Sequence, residues 1–248
     1  TKIVMENQLC IASWNKGGYW KSKLNNKKNE LNLILEQYKI DVMIICEANF
    51  GEVKKDTFNL PKYEIKYKIN HNNRVIIVHK NNLVLKNFKI WETVPTIAIT
   101  IELGGIDITI MGTYREYKKI GQNFRGIEEQ TVAFKEMIRE THQLIGSKNT
   151  LIWCGDFNLD WKMLGDTNYD KKVMLEELER LTMENGLKQQ VIETTRNVKK
   201  TSTMIDLMFS RLIPHVQTMN VTTTSDHDMI VTTFRTKRSK EKELISTR

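Results

Sequence analysis

Five apolar runs in this chain end on residues that can do chemistry. LCIASW is followed by Asn15, MIIC by Glu47, LIWCG by Asp156 with Asn158 two positions on, STMI by Asp206, and VTTTS by Asp226 and His227. Solubility alone would favour Lys and Glu at such places. In α/β folds the loops just past buried strands line the active crevice. Each element has a plainer reading: a lone Glu after a strand is ordinarily solvated, and Asp-Phe-Asn or Ser-Asp-His can be a turn whose side chains bond their own backbone. All five together are harder to explain that way. Hard carboxylate oxygens and an amide suit Mg²⁺ or Mn²⁺, which keep several waters and bind phosphate oxygens. A sole His among carboxylates does not suit a zinc cage. Phosphodiester hydrolysis needs a positioned water, charge stabilisation at phosphorus and help for the leaving oxygen. Glu, Asp, Asn and His in one pocket can supply all three.

The elements that must position these residues are short strands and a few amphipathic helices. Strands are expected at 9–14, 41–46, 63–68, 74–79, 83–90, 96–103, 106–113, 150–154, 188–192, 203–210, 215–223 and 229–235. Helices are expected at 25–38, where Leu31, Ile34, Leu35 and Tyr38 share a face, at 124–146, where Ile127, Phe134, Ile138 and Ile145 do, and at 169–186, with Met174, Leu178 and Leu181. Gly146 and Gly186 are natural helix stops. This is an α/β pattern with large sheets. No repeat, low-complexity block or Pro/Gly linker divides it, so residues 1–235 read as one domain. Residues 236–248 (TKRSKEKELISTR) are charged and poor in apolar residues, which predicts a mobile basic tail or a linker.

Composition narrows the class. The 248 residues carry 38 basic and 30 acidic side chains, a net charge of +8, with 40% hydrophobic residues, 12 Gly and 3 Pro. That excludes a disordered or collagen-like chain, and the positive balance favours a polyanionic partner. No run approaches the ~18 apolar residues of a membrane span, and the start lacks a secretory signal layout, so a soluble intracellular protein is expected. Cys10, Cys46 and Cys154 each lie in an apolar run and read as buried, reduced packing residues. Trp14 and Trp153 also read as core, whereas Trp20 and Trp161 sit in loops after site strands and are candidates for substrate contact.

The ordered set SWN at 13–15, Glu47 in IICEA, Tyr114 in GTYRE, GDFN at 155–158, STMID at 202–206 and SDH at 225–227 resembles the endonuclease/exonuclease/phosphatase superfamily. The resemblance runs from Asn15 to His227. It implies a four-layered α/β sandwich in which two sheets pack face to face between helices. Carried over by motif, Glu47 would be the main metal ligand, with Asn15 and Asp226 close to the ion. Asp156 would orient or deprotonate the attacking water, and Asn158 and Tyr114 would hold the scissile phosphate. His227, paired with Asp206, would stabilise the charged transition state. The implied cofactor is Mg²⁺, with Mn²⁺ able to substitute, and the implied products are a 3′-hydroxyl and a 5′-phosphate.

Within that superfamily, Gly17 stands where apurinic-site (AP) repair enzymes usually place an acid. Ser202–Asp206 looks like the Ser/Thr-x-Ile-Asp form of LINE-type (non-LTR) retrotransposon endonucleases, and Asp228-Met229-Ile230 follows His227 in place of Cys-Pro. The retroelement branch is therefore expected: an endonuclease that nicks chromosomal DNA in the nucleus to prime reverse transcription, monomeric and joined in a longer chain to a reverse transcriptase. AP endonuclease is the alternative, and a phosphatase or phosphodiesterase on the same fold a lower one. The run from Arg115 to Lys119 departs from the small residue and prolines common after Tyr114 in that branch. Arg115 is read as a DNA contact or, equally, as an ion pair with a carboxylate such as Glu116. Thr194–Thr203 reads as a basic hairpin tip, with Arg196, Lys199 and Lys200 set to meet phosphates or simply solvated. Lys16, Lys21, Lys23, Lys27 and Lys28 form a second basic cluster set to meet DNA phosphates, with Lys16 expected as a DNA contact.

Overall fold

A computed structural model describes residues 7–17, 24–50, 60–67, 73–91, 93–116, 126–145, 150–211, 215–219 and 225–236. The period-2 runs become two sheets. The first contains β1 (Asn7–Asn15), β2 (Val42–Phe50), β3 (Tyr63–Lys66), β4 (Asn73–Lys80), β13 (His215–Met219) and β14 (Met229–Thr236), in the order β13-β14-β1-β2-β4-β3. The second contains β5 (Val84–Trp91), β6 (Thr96–Leu103), β7 (Ile106–Tyr114), β8 (Thr150–Asp156), β9 (Lys188–Gln189) and β12 (Asp206–Ser210), in the order β5-β6-β7-β8-β12-β9. A separate hairpin pairs β10 (Arg196–Val198) with β11 (Thr201–Thr203).

Each sheet holds one parallel pair near its centre, β1 with β2 and β7 with β8, and is otherwise antiparallel. Parallel neighbours need a crossover, and helices supply it: α1 (Leu24–Gln37) between β1 and β2, and α2 (Ile127–Leu144) between β7 and β8. A third helix, α3 (Lys172–Glu184), follows β8.

Alternation along the strands assigns the layers. On β1, Leu9 and Ile11 enter the large core with Ile44, Ile77, Ile99 and Ile110, while Cys10, Ala12 and Trp14 face away and pack with Leu31, Ile34 and Leu35 of α1. The other face of the second sheet meets Phe134 and Met137 of α2 and Leu175 and Leu178 of α3, which belong to the same large core. The order α1, sheet, sheet, α2/α3 is the expected four-layered α/β sandwich. At Gly112 the sheets approach so closely that a Cβ would lie 2.6 Å from the Ile44 side chain.

Most expected elements appear with ends shifted by up to three residues, and β2 runs four residues beyond its expected end, to Phe50. Two others are divided or cut short. The expected strand 203–210 is divided, because Met204 and Ile205 leave the hairpin and only Asp206–Ser210 pairs with β8. The strand expected at 188–192 shortens to two residues, since Gln189 turns back to bond Val191. Of the strand expected at 215–223, Met219 is the last described residue. The expected tail lies outside the described residues beyond Thr236.

Candidate active site

The strand ends bring the predicted residues to one rim of the sandwich. Asn15 ends β1, and Glu47 lies in β2 where the register with β4 breaks and its own φ turns positive at 50°. Tyr114 ends β7 directly beside Asp156 at the end of β8. Asp206 opens β12 opposite Asp156. Gly155 makes the last step possible: its φ is 142°, and a Cβ there would lie 2.0 Å from the Thr113 carbonyl oxygen.

Hydrogen bonds join these ends into one network. The Gly17 N–H donates to Asn15 Oδ1 at 2.9 Å, which fixes the amide with Nδ2 facing the acids. Nδ2 donates to Asp156 Oδ2 at 2.7 Å and to Glu47 Oε1 at 3.2 Å. The Tyr114 hydroxyl donates to the same Glu47 oxygen at 2.8 Å. Asp156 Oδ1 accepts the Asn158 N–H at 2.8 Å, and Asn158 itself sits at a φ of 48°. His227 Nδ1 lies 2.8 Å from Asp206 Oδ2. The loop carrying His227 is tied to β1, since Ser225 Oγ donates to the Asn15 carbonyl at 2.7 Å and accepts the His227 N–H at 3.1 Å.

Electrostatics follow from burial and crowding. Burial, and then the neighbouring Asp206 carboxylate, push the Asp156 carboxyl up to about 7, with His227, Asn15 and the Asn158 N–H opposing. Burial works against a charged His227, but the pull of Asp206, Asp156 and Asp226 outweighs it and raises the imidazole to about 9. At neutral pH His227 is thus an imidazolium held on Asp206, a proton donor beside an acid poised to take or lose a proton. Tyr114 is held firmly protonated by burial and by Glu47.

One atom each from Asp156, Asp206 and His227 lies within 4.8 Å of the others. With His227 Nδ1 already engaged by Asp206 at 2.8 Å, these three also form a proton-handling group. The carboxylate oxygens of Glu47 would suit a hard divalent cation. Asn15, whose Oδ1 is kept on the Gly17 N–H, presents its Nδ2 to Glu47 and Asp156 and so orients the acids beside that place. Asp226 is turned toward the hairpin: its Oδ2 accepts from Arg196 Nε at 2.7 Å, and its Oδ1 is 3.8 Å from His227 Nε2.

Two expected phosphate contacts are corrected. Arg115 is buried and donates to the carbonyls of Phe157 and Asn158 and to Gln130, and Glu116 pairs with Arg74 instead. Lys16 is buried against Glu30 of α1 at 2.6 Å and over the Trp14 ring at 4.5 Å. Both sit beside a site residue in sequence, and both turn inward. Lys199 and Lys200 are exposed at the turn between β10 and β11, while Arg196 is engaged by Asp226. Trp161 is partly buried and packs edge-on against Phe209 of the core at 5.4 Å. Trp20, Lys21 and Lys23 lie outside the described residues.

Two supports of the site lie outside the expected residues. Thr195 is fully buried, and its Oγ1 accepts from the Ile205 and Asp206 N–H groups at 3.3 and 3.0 Å, setting the start of β12. Arg74 on β4 lies over the Tyr114 ring at 5.3 Å. A charge opening an otherwise apolar strand (NRVIIV) was the available signal for Arg74; nothing in a Thr-rich stretch singles out Thr195.

Two packed sheets with this network at one rim define a hydrolase of the endonuclease/exonuclease/phosphatase type. The chain belongs to the endonuclease-reverse transcriptase family, whose model matches residues 108–231, and with it to the metal-dependent phosphodiester hydrolases. Among solved structures, the chain is similar to D. rerio TDP2 complexed with a single-strand DNA product (17% identity, TM-score 0.68, covering 92% of this chain and 98% of that one). It is also similar to the endonuclease domain of TRAS1, a telomere-specific non-LTR retrotransposon (14%, TM-score 0.60, 94% and 100%), and to the human nocturnin catalytic domain (16%, TM-score 0.61, 94% and 97%). At these identities the likeness establishes the shared fold. The curated proteins contain no match to the chain.

Proposed function

We propose that this chain is a Mg²⁺-dependent DNA endonuclease of a non-LTR retroelement. It nicks one strand of double-stranded target DNA, leaving a 3′-hydroxyl that primes reverse transcription and a 5′-phosphate. Residues 1–235 form the nuclease domain, and 236–248 lead toward a reverse transcriptase in a longer chain that works in the nucleus, with Mn²⁺ able to replace Mg²⁺. The observation that carries the reading is the convergence of the His227–Asp206 pair with Asp156, Asn15 and Glu47, in a family described as endonuclease-reverse transcriptase. The TRAS1 and TDP2 structures support a DNA substrate on this fold.

In the reaction, Glu47 would be the main ligand of the cation, with Asn15 and Asp226 close to it. When bound, the ion neutralises phosphate charge and stabilises the developing oxyanion. Asp156, its affinity for a proton raised by burial, orients water and accepts its proton. Asn158 and the Tyr114 hydroxyl bind the scissile phosphate, and the His227 imidazolium, held by Asp206, meets the charge that grows on the phosphoryl oxygens. Lys199 and Lys200 meet flanking phosphates from the hairpin.

The test is cleavage of supercoiled plasmid and of a duplex containing one abasic site, with Mg²⁺ and with EDTA. Metal-dependent nicking of intact plasmid, absent in Asp156→Ala, is expected. Cleavage confined to the abasic duplex would move the chain to AP repair, and inactivity on both, with hydrolysis of a small phosphodiester, to the phosphatase branch.

A further inference from the structure

Arg115 is the one fully buried arginine among the described residues. A guanidinium is costly to bury unless its donors are filled. Here Nε donates to the Phe157 carbonyl at 2.7 Å, Nη2 to the Asn158 carbonyl at 2.9 Å and Nη1 to Gln130 Oε1 at 2.7 Å. Its main chain grips the same loop from the other side. The Arg115 N–H donates to the Asp156 carbonyl at 2.9 Å, and Asn158 Nδ2 donates to the Arg115 carbonyl at 2.7 Å.

The loop held this way needs holding. Asn158 occupies the left-handed region, which asparagine tolerates but does not prefer over extended backbone. In that conformation its N–H and its amide both reach Asp156, at 2.8 and 3.3 Å. Lys171 of the segment before α3 also donates to the Asn158 carbonyl, at 3.2 Å. Gln130 lies in the first turn of α2, so the clamp runs from a helix through Arg115 to the loop.

We propose that Arg115 is a positioning residue for hydrolysis. It touches no substrate and acts through Asn158, holding that residue's left-handed turn so that the amide and the Asp156 carboxylate keep one geometry. A lysine could not replace it, because one ammonium cannot bridge two carbonyls and Gln130 as the planar fork does. The inference rests on the hydrolytic reading above.

The experiment compares plasmid nicking by the parent chain, Arg115→Met, Asn158→Ala and the double variant, with amide hydrogen exchange measured on the same proteins. We expect Arg115→Met to lower kcat by about 100-fold, the scale of an ångström-level misplacement, with KM and its salt dependence unchanged. The two losses should not compound, as for residues acting as a unit, and exchange at Phe157 and Asn158 should rise at least about tenfold for a loop freed to open locally. A raised KM with a shallower salt dependence would instead make Arg115 a phosphate contact, and losses that multiply would show that it acts independently of Asn158. Either overturns the proposal. Should Arg115→Met not fold, Gln130→Leu loosens one arm of the clamp and is read the same way. Activity of the parent, with loss in Asp156→Ala, tests the hydrolytic reading separately. Were the parent inactive, unchanged exchange at 157 and 158 would overturn the clamp and faster exchange would support it.

Discussion

At the scale of single residues, the site depends on how protons are held. Replacing His227 by Ala should lower the nicking rate by about 100-fold or more, the range for losing a positioned acid or oxyanion donor. Asp206→Asn should release the imidazole toward its ordinary value, because Asp206 is the leading partner raising it to about 9. An NMR titration of the His227 ring checks this, and a ring still titrating near 9 in the variant would contradict the assignment. The same shift sets a stability slope. His227 binds its proton more tightly folded than unfolded, so its contribution is complete below about 6.5 and is lost as pH rises through about 9. Denaturant unfolding of metal-free protein at pH 6 and pH 10 should therefore show a fall that Asp206→Asn reduces.

At the scale of elements, the β8 end and the hairpin make distinct predictions. Phe157 is buried between two site residues and packs on Trp153 and Phe209 at 5.1 and 5.6 Å. Phe157→Ala should lower stability by about 3–5 kcal/mol as a cavity opens, measurable by chemical denaturation. Lys199 and Lys200 are exposed at the hairpin turn. Replacing both by Ala should weaken duplex binding and flatten log K against log salt by about 0.9 for each phosphate no longer neutralised. An unchanged slope would assign these lysines to solvent. The elements were legible because period-2 runs bounded by polar residues map directly onto strands, and GDFN fell at the end of β8 as expected, whereas Asp206 opens β12 and Ser225–His227 come just before β14. Arg115 and Lys16 turn inward where an outward charge is expected, because composition gives the charge of a side chain and not its direction. Whether a cation turns out to phosphate or in to backbone carbonyls depends on residues distant in sequence, Gln130 and Asn158 for one and Glu30 for the other. Thr195 was invisible for the same reason: its role exists only once β12 is placed beside the hairpin.

At the scale of the whole molecule, two sheets meeting face to face bring β1, β2, β7, β8 and β12 to one rim, so residues 141 positions apart, Asn15 and Asp156, share a hydrogen bond. No helix among the described residues is long and apolar enough to cross a membrane, and the net charge of +8 suits a polyanionic substrate. A divalent ion that binds only the folded rim should raise the melting temperature as its concentration grows. Thermal scans with and without Mg²⁺ should show that rise, and Glu47→Gln should diminish it. The central claim is metal-dependent nicking of DNA by this rim, and the most direct measurement is supercoiled plasmid incubated with the parent chain and with Asp156→Ala, each with Mg²⁺ and with EDTA. Open-circle product from the parent with Mg²⁺ alone, carrying 3′-hydroxyl and 5′-phosphate ends, is the predicted result. Intact plasmid in every lane, or equal nicking by Asp156→Ala, would contradict it.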